Sequence, residues 1–552
     1  MMMKNLLQKS AVIGITVALL SSVSSYAQSL WKTALNNKDV LVLSTLFTAQ
    51  DCRDKINTAE GLDAAVKWCK ETGLTRVFIE SFRGGYYAEK ETLVNARDRF
   101  RKEGFDVAGC VTTVRVGKNG VGGWGMTPCY THESTVKEFE KIFEYTASIF
   151  DLIMIDDFLF TECTCEDCIA AKGDLTWAKF RSDLLVKFSN DHIIRPAKRV
   201  NPKAEIIIKY PLWYDYFHER GYEVVRESMD YDYTWVGTET RDYNFDIKPG
   251  GTVQYNAFFI MRWLDGIGAG KAGGGWIDAL GTTPKYYVEQ ARQTVLGNGR
   301  EIMLFHYGSL QTNSNTYDGW DGTPIADVDA LKKEIPLLFD LARLVRGKAL
   351  KGIYLPKLPN SEPIKEPYIF SYLGMLGLPL IPGHELTSSD PSVIYTTHAL
   401  KDPSFSSKLY SVLNSGKQVA VTEELANRLS DQTLLENKNL MVFKSGDDPK
   451  KFLKMTKEEI QPLRDRLLAP LGIKFNAPVK VSFYLLGDSH IVIENFNDEP
   501  VDATIELPKV TDARQALLIP SGGKAALSKN GNVVTLKGIS PRTLVAFEYR
   551  QQ

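Results

Sequence analysis

Two adjacent carboxylates, Asp156 and Asp157, close the stretch "FDLIMIDDF" at 150–158. The apolar run before them has the length and content of a buried strand, so the pair stands where a rigid element ends. Two close carboxyls push their pKa values apart, which can split acid and base roles. Glycosidic-bond cleavage needs that split: one carboxyl protonates the leaving oxygen, and the other attacks carbon or activates water. Either aspartate could instead cap a helix or hold a loop through backbone N–H groups. Strand neighbours point to opposite faces, so one of the pair is expected to face inward and the other a neighbouring loop, unless the chain kinks there.

Three cysteines follow, Cys163, Cys165 and Cys168, and all seven cysteines of the chain lie within its first 168 residues. C-x-C-x-x-C offers three soft ligands, and Cys129 or His132 is a conceivable fourth for structural zinc. The pattern lacks a second C-x-x-C or an H-x₃-H pair. A disulfide, with Cys129 as the candidate partner, is therefore preferred, and no metal or cofactor is expected. Either bond would brace the loop behind the aspartates. A cysteine nucleophile would need an oriented histidine, and none is evident.

The elements that must position these residues alternate in type. Strands are expected at 39–47, 75–81, 105–114, 204–212, 231–239, 272–278 and 301–308, beside the stretch already quoted. Amphipathic helices are expected at 59–73, 91–104, 133–149 and 283–299. Eight mostly apolar strands within about 270 residues match a (β/α)8 TIM barrel, with a doubly wound open sheet as the competing arrangement. The barrel is expected over 30–346, a small α/β (Rossmann-like) domain over 347–475, and a C-terminal antiparallel β-sandwich over 477–552, where apolar and polar residues alternate. No glycine-rich phosphate loop marks the middle domain. The glycine-rich "GIGAGKAGGGW" at 266–276 reads as a close-approach loop framing Trp276.

In such a barrel the active site lies at the C-terminal strand ends. Strand two ends in Glu80, followed by Arg83, Tyr86 and Tyr87. The loop after strand three carries Trp124 and His132. Strand five ends in Lys209 and Trp213, and strand six in Trp235, Glu239 and Arg241. Strand seven ends in Trp276 and Asp278, and strand eight in His306 and Tyr307. A mouth of carboxylates and aromatic faces suits sugars, whose apolar C–H faces stack on rings. Asp157 and Glu239 are the expected catalytic carboxyls, with Asp156 beside them. Glu80, Trp124, Lys209, Trp213, Trp235, Arg241, Trp276, Asp278, His306 and Tyr307 are the expected substrate contacts. Glu239 could instead pair with Arg241, and His306 could be a satisfied core histidine.

The N-terminus has lysines at 4 and 9, the apolar "AVIGITVALL" at 11–20 and the small-residue exit "SSVSSYAQ". This is the pattern of a signal peptide over 1–27, cleaved after Ala27, and it points to the periplasm or secretion. No later apolar run reaches about 18 residues, so no membrane insertion is expected. A formal net charge of −1 speaks against a nucleic-acid footprint.

A barrel, a small α/β domain and a short β-domain in this order resemble the β-galactosidases of glycoside hydrolase family 42. Those enzymes use glutamates at the ends of strands four and seven, where this chain has "IDDF" and "GGWID". By that resemblance the middle domain is a candidate trimerising element, hence a homo-oligomer. The "IDDF" stretch is similar to two further motifs. Likeness to α-galactosidase-like barrels implies Asp157 as nucleophile and Glu239 as acid/base. Likeness to the O-GlcNAcase-like family implies substrate-assisted cleavage of N-acetylhexosaminides, with Asp156 polarising the acetamido group and Asp157 as acid/base. The expected function is an exported glycoside hydrolase acting on oligosaccharides or glycans. The alternatives are that N-acetylhexosaminidase, a non-catalytic carbohydrate-binding protein on the same scaffold, and a metal-dependent hydrolase, for which the scattered histidines supply few ligands.

Overall fold

Eight parallel strands close on themselves. They are β1 (Val42–Phe47), β2 (Arg76–Arg83), β3 (Asp106–Thr112), β4 (Leu152–Ile155), β5 (Glu205–Tyr210), β6 (Tyr233–Gly237), β7 (Ala272–Asp278) and β8 (Glu301–Phe305). Each pairs with the next, and β8 returns to β1 with Val42 opposite Glu301. Closure excludes the open doubly wound sheet, which would leave two edges unpaired. The computed structural model describes residues 29–242, 251–314, 324–446 and 448–552. The signal peptide expected over 1–27 lies outside the described residues.

The strands read as continuously apolar because both faces are covered. Leu46, Phe78, Cys110, Met154, Ile207, Trp235, Trp276 and Met303 cluster together and fill the lumen. Their strand neighbours, such as Ile79, Val111, Ile153, Ile208, Val236 and Leu304, belong to the core shared with the helices. The glycines at 273–275 lie within β7 and not in a loop. A Cβ on Gly274 would stand 2.7 Å from the Glu301 carbonyl oxygen and 2.9 Å from the Trp235 ring. The glycines therefore make room for Trp235 inside the barrel.

Beyond the barrel, five parallel strands form a sheet in the order Leu380–Gly383, Ile353–Pro356, Ser392–Tyr395, Gln418–Thr422, Leu440–Phe443. Two antiparallel sheets follow. One holds Leu350–Lys351, Val481–Leu486, His490–Asn495, Thr543–Gln551 and Val510–Ile519; the other holds Lys474–Asn476, Val501–Glu506, Val533–Ile539 and Ala526–Asn530. The short strand Leu350–Lys351 thus leaves the barrel and joins the C-terminal sheet before the middle sheet begins.

The barrel and C-terminal sheets share buried ion pairs. Arg292, on the barrel helix Pro284–Leu296, donates to Glu334 at 2.9 Å and to the Arg542 carbonyl at 2.7 Å, and pairs with Glu494 at 3.4 Å. Gln293 donates to Glu494 at 2.6 Å.

Candidate active site

Period-two alternation runs on from the lumen core to the mouth. Glu80 follows Phe78, Thr112 follows Cys110, Asp156 follows Met154 and Lys209 follows Ile207 on the same strand faces. The four side chains meet there. Asp156 is fully engaged: Oδ2 accepts from Arg83 at 3.0 Å and from Thr112 at 3.1 Å. Its Oδ1 accepts from the Asp157 backbone N–H at 2.8 Å and from Lys209 at 3.3 Å. Burial raises its pKa, but the Lys209 and Arg83 charges outweigh that and hold it below the usual carboxylate range. Glu80 lies behind, accepting from the Ala49 N–H at 2.9 Å and from Arg83 at 2.7 Å. Burial raises its carboxyl despite Arg83.

Asp157 reaches the same centre because β4 stops at Ile155. The chain then turns, and the Phe158 N–H donates to the Asp156 carbonyl at 2.7 Å. Strict alternation would have sent Asp157 outward; the turn brings its Oδ2 to 2.8 Å from Lys209 Nζ. Burial pushes the Asp157 carboxyl up, Lys209 pulls it back, and the charges of Asp156 and Glu239 add to the rise, leaving it at about 7.

Glu239 stands just beyond β6, with Oε1 3.7 Å from Lys209 Nζ. Its buried Oε2 has no hydrogen-bond partner among the described residues. Gly237 permits this pose, since a Cβ there would lie 2.6 Å from that Oε2. The expected alternative for Glu239, a pairing with Arg241, is not what forms. The Arg241 guanidinium pairs with Asp278 at 2.6 Å and touches Glu239 only at its backbone carbonyl, at 3.4 Å.

The aromatic residues divide. Trp276 lies under the ammonium, with Lys209 Nζ 4.0 Å from its ring centre. Trp124, 45% exposed, stacks on Phe158 at 5.4 Å beside the aspartates. Trp213 is half-buried, with the Arg220 guanidinium 4.7 Å from its ring centre. Two expected sugar contacts are placed elsewhere. Trp235 fills the lumen below Glu239, edge-on to Phe78 at 5.6 Å, because a large ring there replaces the volume that Gly273 and Gly274 leave. Tyr307 points to the helix side, packed on Phe47 at 4.5 Å and Trp68 at 5.3 Å. His306 is buried at the end of β8, with Nδ1 2.7 Å from Asp51 and Nε2 2.8 Å from Ser309.

The cysteine run meets its fourth member. The sulfurs of Cys129, Cys163, Cys165 and Cys168 all lie within 4.8 Å of one another. Cys129 Sγ is 3.6 Å from Cys165 Sγ and 3.7 Å from Cys168 Sγ, far beyond an S–S bond. Four thiolates at Zn–S distances near 2.3 Å would stand about 3.8 Å apart, so the residues fit one tetrahedral zinc. That fit departs from the expectation of no metal: the C-x-C-x-x-C loop alone lacks a fourth ligand, and the fold supplies it from the loop after β3. His132 is not part of the set; its ring accepts from the Ser134 N–H at 3.3 Å, at the start of the helix Glu133–Ala147. The cluster ties together the two loops that carry Trp124 and Phe158. The Trp124 N–H donates to Glu162 at 3.1 Å across the same junction.

Sequence reasoning passed over Thr112, Phe158 and Asp51. Thr112 was within reach, since it lies two residues beyond the buried Cys110 on the same strand face. Phe158 and Asp51 gain meaning only through contacts across the barrel.

Comparison with known proteins gives the wider setting. An uncharacterised protein from Saccharolobus solfataricus is 24% identical over 405 residues, which is 67% of this chain and 64% of that protein. This chain therefore spans less than two thirds of that relative's length. Among solved structures, α-L-fucosidase isoenzyme 2 from Paenibacillus thiaminolyticus superposes at a TM-score of 0.59, with 10% identity, covering 93% of this chain and 99% of that one. That likeness is one of fold. A maltogenic α-amylase from Thermotoga neapolitana aligns more loosely, at a TM-score of 0.39 and 8% identity, over 93% of this chain and 99% of that one. The model of the probable glycosyl hydrolase catalytic domain matches residues 28–342, more than half of the sequence. With a closed barrel whose mouth gathers carboxylates around one lysine, the chain belongs to the family of probable glycosyl hydrolase catalytic domains.

Proposed function

We propose that the protein is a retaining glycoside hydrolase, with Asp157 as acid/base and Glu239 as nucleophile. The observation that carries this reading is that Asp157 and Glu239 flank one ammonium, at 2.8 and 3.7 Å, with one Glu239 oxygen left without a hydrogen-bond partner among the described residues. Two oxygens at those distances from one nitrogen stand at most about 6.5 Å apart, which favours the close spacing of retaining pairs over the wider spacing of inverting ones. In the first step the Asp157 proton passes to the glycosidic oxygen, the C1–O bond breaks, and Glu239 Oε2 bonds to C1. In the second, water attacks C1, its proton passes to Asp157, and the Glu239–C1 bond breaks. The sugar leaves with its original anomeric configuration.

A raised Asp157 pKa supports its role as the acid over the opposite assignment, in which it would have to be ionised to attack. The substrate-assisted reading needs a free Asp156 oxygen to orient an acetamido group, and both are taken by four donors. A purely sugar-binding protein would have no use for a protonated carboxyl beside an unpartnered one. The substrate is a glycan, with Trp124 and Trp213 as aromatic platforms at the rim. The basic and apolar N-terminal pattern supports export, and a mature chain beginning at Gln28 is the expected result of N-terminal sequencing.

A panel of aryl glycosides tests the chemistry on wild type and Asp157→Asn. The variant should lose at least about 10³-fold in kcat/KM on substrates with poor leaving groups, and far less where the leaving group needs no proton. Azide should rescue Glu239→Gly by forming the inverted glycosyl azide. Full turnover by Asp157→Asn on a poor leaving group would sink the assignment.

A further inference from the structure

Lys209 was expected among the sugar ligands, and its surroundings argue for another role. Its side chain is 2% exposed, and its ammonium lies on the Trp276 face at 4.0 Å. An ammonium has three N–H donors. Two of them donate to Asp157 Oδ2 at 2.8 Å and Asp156 Oδ1 at 3.3 Å, and the charge also pairs with Glu239 Oε1 at 3.7 Å, so the ammonium is turned to carboxylates on three sides. The three carboxylates come from just beyond β4 and just beyond β6, and β5, which carries Lys209, lies between those two strands in the sheet. We infer that Lys209 is a positioning residue for the acid and the nucleophile: its one ammonium holds Asp157 and Glu239 about a common point and carries the charge that balances them. This inference rests on the glycosidase reading above.

Charge counting supports it. Around the ammonium stand Asp156, Asp157 and Glu239. Arg83 and Glu80 lie behind on β2, the Cys110 thiol below on β3, and the Arg241–Asp278 pair to the β7 side. His306 and Asp51, on the β8 and β1 side, pair with each other at 2.7 Å. Among the described residues, four carboxyls, Glu80, Asp156, Asp157 and Glu239, thus share two cations, Arg83 and Lys209. The site is short of positive charge and keeps a proton, and Lys209 decides how tightly Asp157 holds it. Without the ammonium, Asp157 would retain its proton to higher pH, and nothing would set its separation from Glu239.

The experiment is a pH–rate profile of kcat and KM for wild type, Lys209→Met and Lys209→Arg on one aryl glycoside. In Lys209→Met, the alkaline limb of the kcat/KM profile, which reports Asp157, should move to higher pH by at least about one unit, as expected for losing an opposite charge within 4–6 Å. At neutral pH kcat should fall by about 100-fold or more. Lys209→Arg keeps the charge but not the point of attachment, so its profile should stay in place while kcat falls about tenfold or more at little-changed KM. A Lys209→Met enzyme with the wild-type profile, or with only KM raised, overturns the inference and restores a sugar-ligand role. If Lys209→Met does not fold, Lys209→Arg decides: unchanged kcat with raised KM overturns the inference. These outcomes leave the glycosidase reading standing, because that reading falls only if Asp157→Asn turns over poor leaving groups at the wild-type rate.

Discussion

The Asp157 carboxyl is pushed up because of where one strand stops. Ending β4 at Ile155 turns the second aspartate back into the charged layer, where burial and two carboxylate neighbours outweigh Lys209. As the proposed acid, Asp157 would have to be protonated to work, so kcat/KM should fall on the alkaline side with an apparent pKa near 7, read from a pH–rate profile. The same shift bears on stability. A folded pKa raised above the ordinary 3.8 gives a contribution that is complete below that value and is lost as pH rises through about 7. Asp157→Asn removes this loss. Its Tm relative to wild type should therefore rise between pH 4 and pH 8. A Tm difference independent of pH would mean that Asp157 titrates at its ordinary value.

At the scale of elements, two pieces of the barrel depend on close fit. In β7, Gly274→Ala would drive a methyl into the Glu301 carbonyl and the Trp235 ring. Overpacking of this kind costs typically 1–3 kcal/mol, which chemical denaturation should report. Trp235→Ala would leave a lumen cavity and cost about 3–5 kcal/mol. Beside β4, the loops held by Cys129, Cys163, Cys165 and Cys168 should contain one zinc per chain, measured by elemental analysis of protein purified without added metal. Cys129→Ser should lose that zinc and raise KM more than it lowers kcat, because the Trp124–Phe158 stack is what the cluster supports. Protein that is fully folded and metal-free, with four titratable thiols, would refute the zinc fit.

At the scale of the molecule, the barrel and the C-terminal sheets behave as one packed body. Their apolar side chains form a continuous core, and Arg292 joins Glu334 and Glu494 with 1% side-chain exposure. Removing one partner of a buried ion pair leaves uncompensated charge, so Arg292→Ala should cost about 3–5 kcal/mol. The C-terminal β-domain should then melt together with the barrel in a single calorimetric transition. Two separated transitions would show that the interface carries little energy.

Much of this was legible in the residues. Eight apolar runs separated by helical segments point to a closed parallel barrel, because a strand covered on both faces must be apolar throughout. The barrel rule in turn places Asp156, Asp157, Lys209 and Glu239 at one mouth. Which aspartate carries the proton was not legible, since strict alternation assigns Asp157 outward and only the observed turn reverses it. Trp235 and Tyr307 look identical in type to Trp124 and Trp213. Whether a ring meets sugar, lumen or helix depends on face and depth, and a one-residue change of register reverses the face. The fourth cysteine and the shared contacts of Lys209 needed the pairing of neighbouring strands. Pairing β3 with β4 and β4 with β5 brings together side chains 36 and 52 residues apart, a proximity that local sequence spacing does not encode.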